Sequence, residues 1–153
     1  MRVNLYRAWP EGQQALSALS EAVENSGLDH QLLELVKMRA SQINGCAYCI
    51  DMHSKDARAL GETEQRLYAL NAWRETTFFT EREAAALALT ESITLVAATH
   101  VPDDVVETAR TQFDDTELSQ LVFAIVTINA WNRLALTTRP PVGRYESTKT
   151  APD

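Results

Sequence analysis

The stretch Asn44-Gly45-Cys46-Ala47-Tyr48-Cys49-Ile50-Asp51-Met52-His53-Ser54-Lys55-Asp56-Ala57-Arg58-Ala59-Leu60-Gly61 decides how this chain is read. It opens on an Asn-Gly pair, where a helix stops, and closes on a second glycine, so the residues between them predict one helix. Laid out at about 100° per residue, Cys46, Cys49, Ile50, His53, Ala57 and Leu60 fall within an arc of about 100°. Asp51, Ser54, Lys55 and Arg58 lie opposite, with Asp51 and Lys55 spaced for an i,i+4 ion pair. Both cysteines and the histidine therefore share the protected face of a helix whose N-terminus is at Cys46.

The same helical periodicity recurs on both sides, and no run of alternating β-branched and aromatic residues reads as a strand. Leu16, Leu19 and Val23 fit a helix ending near Gly27. Asp29 caps the next, which runs to about Ile43 with Leu32, Val36, Ala40 and Ile43 on one face. Beyond the cysteine helix, Thr63 opens a fourth through Leu67, Leu70 and Trp73. Thr80-Glu81-Arg82-Glu83 is a capping box for a fifth, reaching about Ala98. Pro102 begins a sixth, to Phe113. The seventh, from about Thr116 to Thr138, is the most apolar and is expected to be the central buried helix. The fold class is all-α, a single-domain bundle of about seven helices over residues 1–145. After Pro140-Pro141 a polar, loose tail is expected over 146–153. Asn71-Ala72-Trp73-Arg74 is echoed at Asn129-Ala130-Trp131-Asn132-Arg133, a match too short to establish an internal repeat.

A chain of 153 residues with 45% hydrophobic content can bury a core without metals or several disulfides. Its net charge of −7 argues against a nucleic-acid or anionic-membrane partner, either of which calls for a basic patch. No apolar run approaches the roughly 18 residues of a membrane span. The start, Met1-Arg2-Val3-Asn4-Leu5-Tyr6, has no apolar secretory core. The protein is expected to be soluble and cytoplasmic.

There are 2 cysteines, and closing so short a loop would constrain little of the unfolded chain. A helix N-terminus and a nearby histidine are the surroundings that lower a thiol pKa. An i,i+3 pair on a helix is close enough for a disulfide, so one thiolate could meet an oxidant and the other condense with it. The residues alone leave three readings open: a redox dithiol, two inert small hydrophobes on an apolar face, or half of a zinc site. For zinc the second half is missing, since His30, His53 and His100 form no ligand pair. A thioredoxin-type site is disfavoured because its motif belongs to a βαβ setting.

The run from Glu34 through Lys37, Arg39, Asn44-Gly45-Cys46 and Tyr48-Cys49 to His53 resembles the alkylhydroperoxidase D-like branch of the carboxymuconolactone decarboxylase superfamily. The likeness extends to Gly61-Glu62, Trp73-Arg74 and Asn129–Arg133, and spans roughly residues 1–145. It implies an all-helical trimer or hexamer that reduces hydroperoxides without a metal or cofactor. A dithiol or carrier protein would then reduce the resulting disulfide. By this resemblance Cys49 is peroxidatic, Cys46 resolving, and Glu34 with His53 forms the proton relay, Glu34 as general base. The alternatives are a lyase acting on a carboxylated lactone, which needs no cysteine pair, and a non-catalytic redox-sensing helical oligomer.

Two points sit awkwardly with that pattern. On the helical projection Glu34 lies about 160° from the apolar face, beside Ser41, where a solvated glutamate is expected. As a relay it would have to be buried instead, and burial would raise its pKa toward general-base work. Tyr48 also stands where the family's best-known members carry a histidine, so it either shapes the access channel or packs at an interface. Lys37 and Arg39 read as surface charges, with attraction of an acidic reductant as the functional alternative. Trp73 and Trp131 read as core anchors. Asn132 and Arg133, on an apolar helix, require polar partners in the interior or at a subunit interface.

Overall fold

A computed structural model describes residues 2–151. Met1, at the start of the expected domain, and Pro152 and Asp153, at the end of the expected tail, lie outside the described residues. Among those described there are nine α-helices, one 3₁₀ segment and no strand. They are α1 (Leu5–Ala8), α2 (Pro10–Glu24), α3 (His30–Asn44), α4 (Ala47–Ala59) and α5 (Glu64–Ala69), then the 3₁₀ turn Leu70–Glu75, followed by α6 (Glu81–Thr94), α7 (Val96–Thr99), α8 (Asp103–Arg110) and α9 (Asp115–Thr138).

Local chemistry sets these boundaries. Pro10 occupies the first turn of α2, where its missing N–H costs nothing. The Asp29 carboxylate accepts from the Leu32 N–H at 2.8 Å and starts α3. Thr80/Glu83 and Asp114/Glu117 form capping boxes on α6 and α9. The expected fifth helix is interrupted at Leu95, whose backbone leaves the helical region. The Thr99 hydroxyl then donates to the Ser92 carbonyl at 2.7 Å, satisfying an acceptor that the break frees. Ala72 likewise departs from helical geometry, so the expected fourth helix ends in a 3₁₀ turn.

The central element is α3, correcting the expectation for α9. Nine of the 15 residues of α3 are buried, against seven of 24 in α9. On one side Leu32, Leu33 and Val36 meet Val23 of α2, Ala86 and Leu89 of α6, Ala109 of α8 and Ile125 of α9. On the other, Leu35 and Met38 meet Ala57 of α4, Leu67 of α5, Leu70, Trp73 and Leu87. Burial of each such leucine contributes about 2 kcal/mol. Apolar packing on two sides leaves the third stripe of α3, Glu34, Lys37 and Ser41, facing the interior beneath α4 and α9. At 24 residues, α9 is by length and composition apolar enough to cross a bilayer. Here its Leu121, Ala124, Ile125 and Ile128 pack into the bundle instead, and Phe123 and Val126 remain on its outer face.

The chain beyond α9 has no regular secondary structure up to residue 151, yet it does not extend away from the bundle. The Gly143 N–H donates to Asp51 at 3.2 Å, Lys55 donates to the Tyr145 carbonyl at 2.9 Å, and the Lys149 ammonium reaches the interior.

Candidate active site: a dithiol beside a buried charge cluster

Gly45 ends α3 in the left-handed region (φ 68°), where a Cβ would be strained, and this lets the chain turn at once into α4. Cys46 is the N-cap of α4, and its sulfur accepts from the Cys49 N–H at 3.4 Å. The two cysteines are joined as a disulfide with Cα atoms 5.4 Å apart. Both are almost fully buried, at 1% and 2% exposure. His53 follows one turn later on the same face and is also buried. The stripe read from the sequence is thus present, and Asp51 and Lys55 pair on the opposite face at 2.9 Å.

Glu34 is completely buried, and its Oε2 lies 2.7 Å from His53 Nδ1. The projection placed Glu34 correctly beside Ser41; what it missed is that this polar stripe is covered. The other oxygen, Oε1, accepts from Lys37 Nζ at 3.0 Å and from Lys149 Nζ at 2.8 Å. Glu24, from α2, takes both ammonium groups: Lys149 at 3.0 Å on Oε2, and Lys37 on Oε1. Two carboxylates and two ammonium groups thus alternate around a closed ring, with His53 attached at one corner.

This ring corrects the expected electrostatics of Glu34. Burial does push its pKa up, but the His53 hydrogen bond and the charges of His53, Lys37 and Lys149 outweigh it, and the net shift is downward. Glu34 is therefore a permanent carboxylate at neutral pH rather than a titrating base. An ionised carboxylate can only accept, so His53 donates through Nδ1–H. Whenever the ring is neutral, this hydrogen bond leaves Nε2 as its acceptor atom.

Asp56, one turn beyond His53, accepts from the Tyr145 hydroxyl at 2.8 Å. Burial and that carboxylate push the phenol up to about 12, so it remains a donor. Glu34, His53 and Asp56 present ligand-type atoms within 4.8 Å of one another. Within this group Glu34 is already paired with the ammonium groups of Lys37 and Lys149, and Asp56 is held by the Tyr145 hydroxyl.

Two cavities meet at the cysteine helix. One of about 370 Å³ is lined by Glu24, Glu34, Lys37, His53 and Lys149. The other, about 220 Å³, is lined by Cys49 with Val3, Leu5, Leu134 and Pro140. Tyr6, Tyr48, Met52 and Trp131 line both. Tyr48 thus stands at the junction between the acid–base cavity and the sulfur cavity. Cys49 lines the second of these cavities.

Lys37 and Arg39 differ from their sequence reading, whereas Trp73, Asn132 and Arg133 follow theirs. Lys37 is buried in the charge ring, and Arg39 pairs with Glu91 at 2.8 Å, so neither is a free surface charge. Trp73 packs in the core and donates to Glu91 at 3.0 Å. Trp131 donates to Ser20 at 2.7 Å and lines the cavities as well as anchoring α9. Asn132, with no exposure, donates to Ser41 at 3.0 Å and accepts from Asn44 at 2.8 Å. Arg133 bonds back to the Asn129 carbonyl at 2.9 Å. Glu24, Asp56, Tyr145 and Lys149 were not singled out from sequence. Only Asp56 carried a local signal, at i+3 from His53.

An all-helical bundle with a helix-capping dithiol and a buried Glu–His pair one turn away defines a class of small dithiol proteins. This chain belongs to the carboxymuconolactone decarboxylase family, which residues 10–92 match. It is 44% identical over 135 residues to the uncharacterized protein YdfG of Bacillus subtilis, covering 88% of this chain and 92% of that one. Its fold is that of a protein of unknown function from Agrobacterium tumefaciens, for which an AhpD-type role in antioxidant defence has been suggested. Identity is 42%, the TM-score is 0.90, and coverage is 94% of this chain and 99% of that one. The debrominase Bmp8 shares the fold at 17% identity and a TM-score of 0.76, over 88% of this chain and 73% of its own. The AhpD-like, all-helical resemblance read from the sequence therefore holds.

Proposed function

We propose that this protein is a dithiol peroxidase that reduces hydrogen peroxide or organic hydroperoxides through a Cys46/Cys49 cycle. The observation that carries this reading is the buried Glu34–His53 pair, 2.7 Å apart, one turn from a cavity-lining Cys49. In the reduced protein, His53 Nε2 takes the Cys49 proton while the Glu34 carboxylate stabilises the imidazolium. The thiolate attacks one peroxide oxygen: an S–O bond forms, the O–O bond breaks, and the leaving alkoxide takes the proton back from His53. Cys49 is then a sulfenic acid. Attack by the Cys46 sulfur forms the disulfide and releases water. A dithiol reductant, small or carried on a protein, restores both thiols by exchange, so peroxide and reductant together give an alcohol, water and an oxidised dithiol.

The two sulfurs suit different roles. Cys49 lines a cavity and stands nearer the histidine in the helix. Cys46, bonded by a helix amide, is the better-stabilised thiolate and therefore the better leaving group when a reductant opens the disulfide at Cys49. Such a cycle suits a reducing compartment such as the cytoplasm. The exposed Phe123 and Val126 on α9 suit a trimeric or hexameric assembly.

The test is peroxide consumption with dithiothreitol as electron donor. Wild type turns over; Cys49→Ser is inactive; Cys46→Ser, given peroxide before any dithiothreitol is present, consumes one equivalent and leaves a dimedone-reactive sulfenic acid on Cys49. Full turnover by Cys49→Ser, or no peroxide consumption by the wild type, refutes the reading.

A further inference from the structure

We propose that Lys149, delivered by the chain segment after α9, is a positioning residue for the Glu34–His53 pair and sets the ionisation of Cys49. The inference rests on the peroxidase reading for its purpose, though not for its test. The segment from Gly143 to Lys149 is fastened to α4, the helix carrying both cysteines and His53. Gly143 bonds Asp51 at 3.2 Å, Lys55 bonds the Tyr145 carbonyl at 2.9 Å, and the Tyr145 hydroxyl bonds Asp56 at 2.8 Å. Four residues later Lys149 Nζ contacts Glu34 at 2.8 Å and Glu24 at 3.0 Å. The segment is thus a strap running from the outer side of the cysteine helix into the acid–base cavity.

Charge balance explains what Lys149 does there. The titratable and charged groups around His53 come from every packed element. They are Tyr6 of α1, Glu24 of α2, Glu34 and Lys37 of α3, Tyr48 and Asp56 of α4, and Lys149 of the strap. The Tyr145 hydroxyl reaches Asp56, His30 of α3 lies 3.5 Å from Glu24, and Cys46 and Cys49 stand one to two turns earlier at the start of α4. The wall supplied by α9, with Thr127, Ile128 and Trp131, is uncharged. With Lys149 in place the ring of Glu24, Lys37, Glu34 and Lys149 is neutral, and Asp56 is held by a phenol. Without it the ring has a net negative charge inside the bundle, next to the helix on which a thiolate must form.

Glu34 would also lose one of the two ammonium groups that fix Oε1, and with it part of the restraint that aims Oε2 at His53. The contacts to Glu34 and Glu24 hold the Lys149 pKa above its ordinary value, so the ammonium persists across the working pH range. Asp51, Lys55 and Asp56 are already close in sequence to His53. Lys149 is instead supplied 115 residues after Glu34, by the part of the chain that composition alone marks as loose.

The experiment follows iodoacetamide alkylation of Cys49 against pH, in reduced full-length protein carrying Cys46→Ser. Lys149→Met moves the midpoint up by about 0.5 to 1 pH unit, the size of shift that loss of one nearby, partly screened charge produces. Lys149→Arg returns it to the starting value, and circular dichroism shows all three chains equally folded. A Lys149→Met profile superimposable on its parent, or an upward shift that Lys149→Arg fails to reverse, overturns the inference. Because alkylation requires no peroxide, an inactive wild type would sink the peroxidase reading and leave this result standing.

Discussion

Glu34 holds His53 Nδ1 at 2.7 Å from a position with no solvent exposure, and two lysines hold its other oxygen. The carboxylate is therefore fixed in charge and in direction before any substrate arrives. Glu34→Gln keeps the shape but removes the charge, and its amide can offer Nδ1 a donor where an acceptor is needed. Peroxide turnover is expected to fall about 10²-fold or more, the size of a lost general-base contribution. The loss should appear in kcat, with the midpoint of Cys49 alkylation raised. An unchanged alkylation midpoint in Glu34→Gln would remove the relay role.

The same carboxylate makes stability depend on pH. Glu34 titrates in the fold below its ordinary value of 4.5, and Glu24 and Glu91 do likewise because of Lys37 and Arg74 with their neighbours. For a group whose folded pKa is depressed, the unfolded chain binds the proton first. The stabilisation is therefore complete above the unfolded value and drains away as pH falls through the folded one. The thermal midpoint should be flat from pH 7 to about 5 and fall steeply below about 4.5. Glu34→Gln should have a lower plateau and a shallower acid slope. Thermal melts across this range check it, and parallel acid slopes for the two proteins would contradict it.

Helix existence was legible because caps and periodicity act locally: Asp29, Thr63, Thr80 and Gly45 mark their boundaries without help from the rest of the fold. The cysteine stripe was legible for the same reason, since 46, 49 and 53 lie on one helix. The depth of each helix was not. Glu34, Lys37 and Ser41 look like a solvent face because the sequence does not say that α4 and α9 cover it. The pKa direction failed with it, as burial was foreseen but the lysines that reverse its effect were not. Lys149 meets Glu34 across 115 residues of chain, and no periodicity connects them.

Asn132 tests how far the interior depends on such long-range polar matches. Its amide bonds Ser41 at 3.0 Å and accepts from Asn44 at 2.8 Å, joining α9 to the end of α3 directly before the cysteine helix. Asn132→Leu fits the volume but leaves the Ser41 hydroxyl and the Asn44 amide each short of a partner. The expected loss is about 1–3 kcal/mol, read as a lower midpoint in urea with an unchanged m-value. A variant as stable as wild type would show that these bonds add nothing over an apolar contact.

Tyr48 gives the sharpest test of specificity, because it lines the cavity holding Glu34 and His53 as well as the one holding Cys49. The sulfur cavity, at about 220 Å³, is walled mainly by apolar side chains, the Tyr48 ring among them. Truncation by Tyr48→Ala would join it to the neighbouring cavity of about 370 Å³. Hydrogen peroxide needs no such room, so its kcat/KM should change little. Cumene hydroperoxide gains space for its ring, and its kcat/KM should rise several-fold relative to hydrogen peroxide. Tyr48→Phe, which keeps the ring and removes only the hydroxyl, should leave the ratio at the wild-type value. If Tyr48→Ala lowers both substrates equally, the ring supports the active helix rather than dividing the cavities. If Tyr48→Phe alone shifts the ratio, the hydroxyl contacts substrate and the partition is chemical rather than steric.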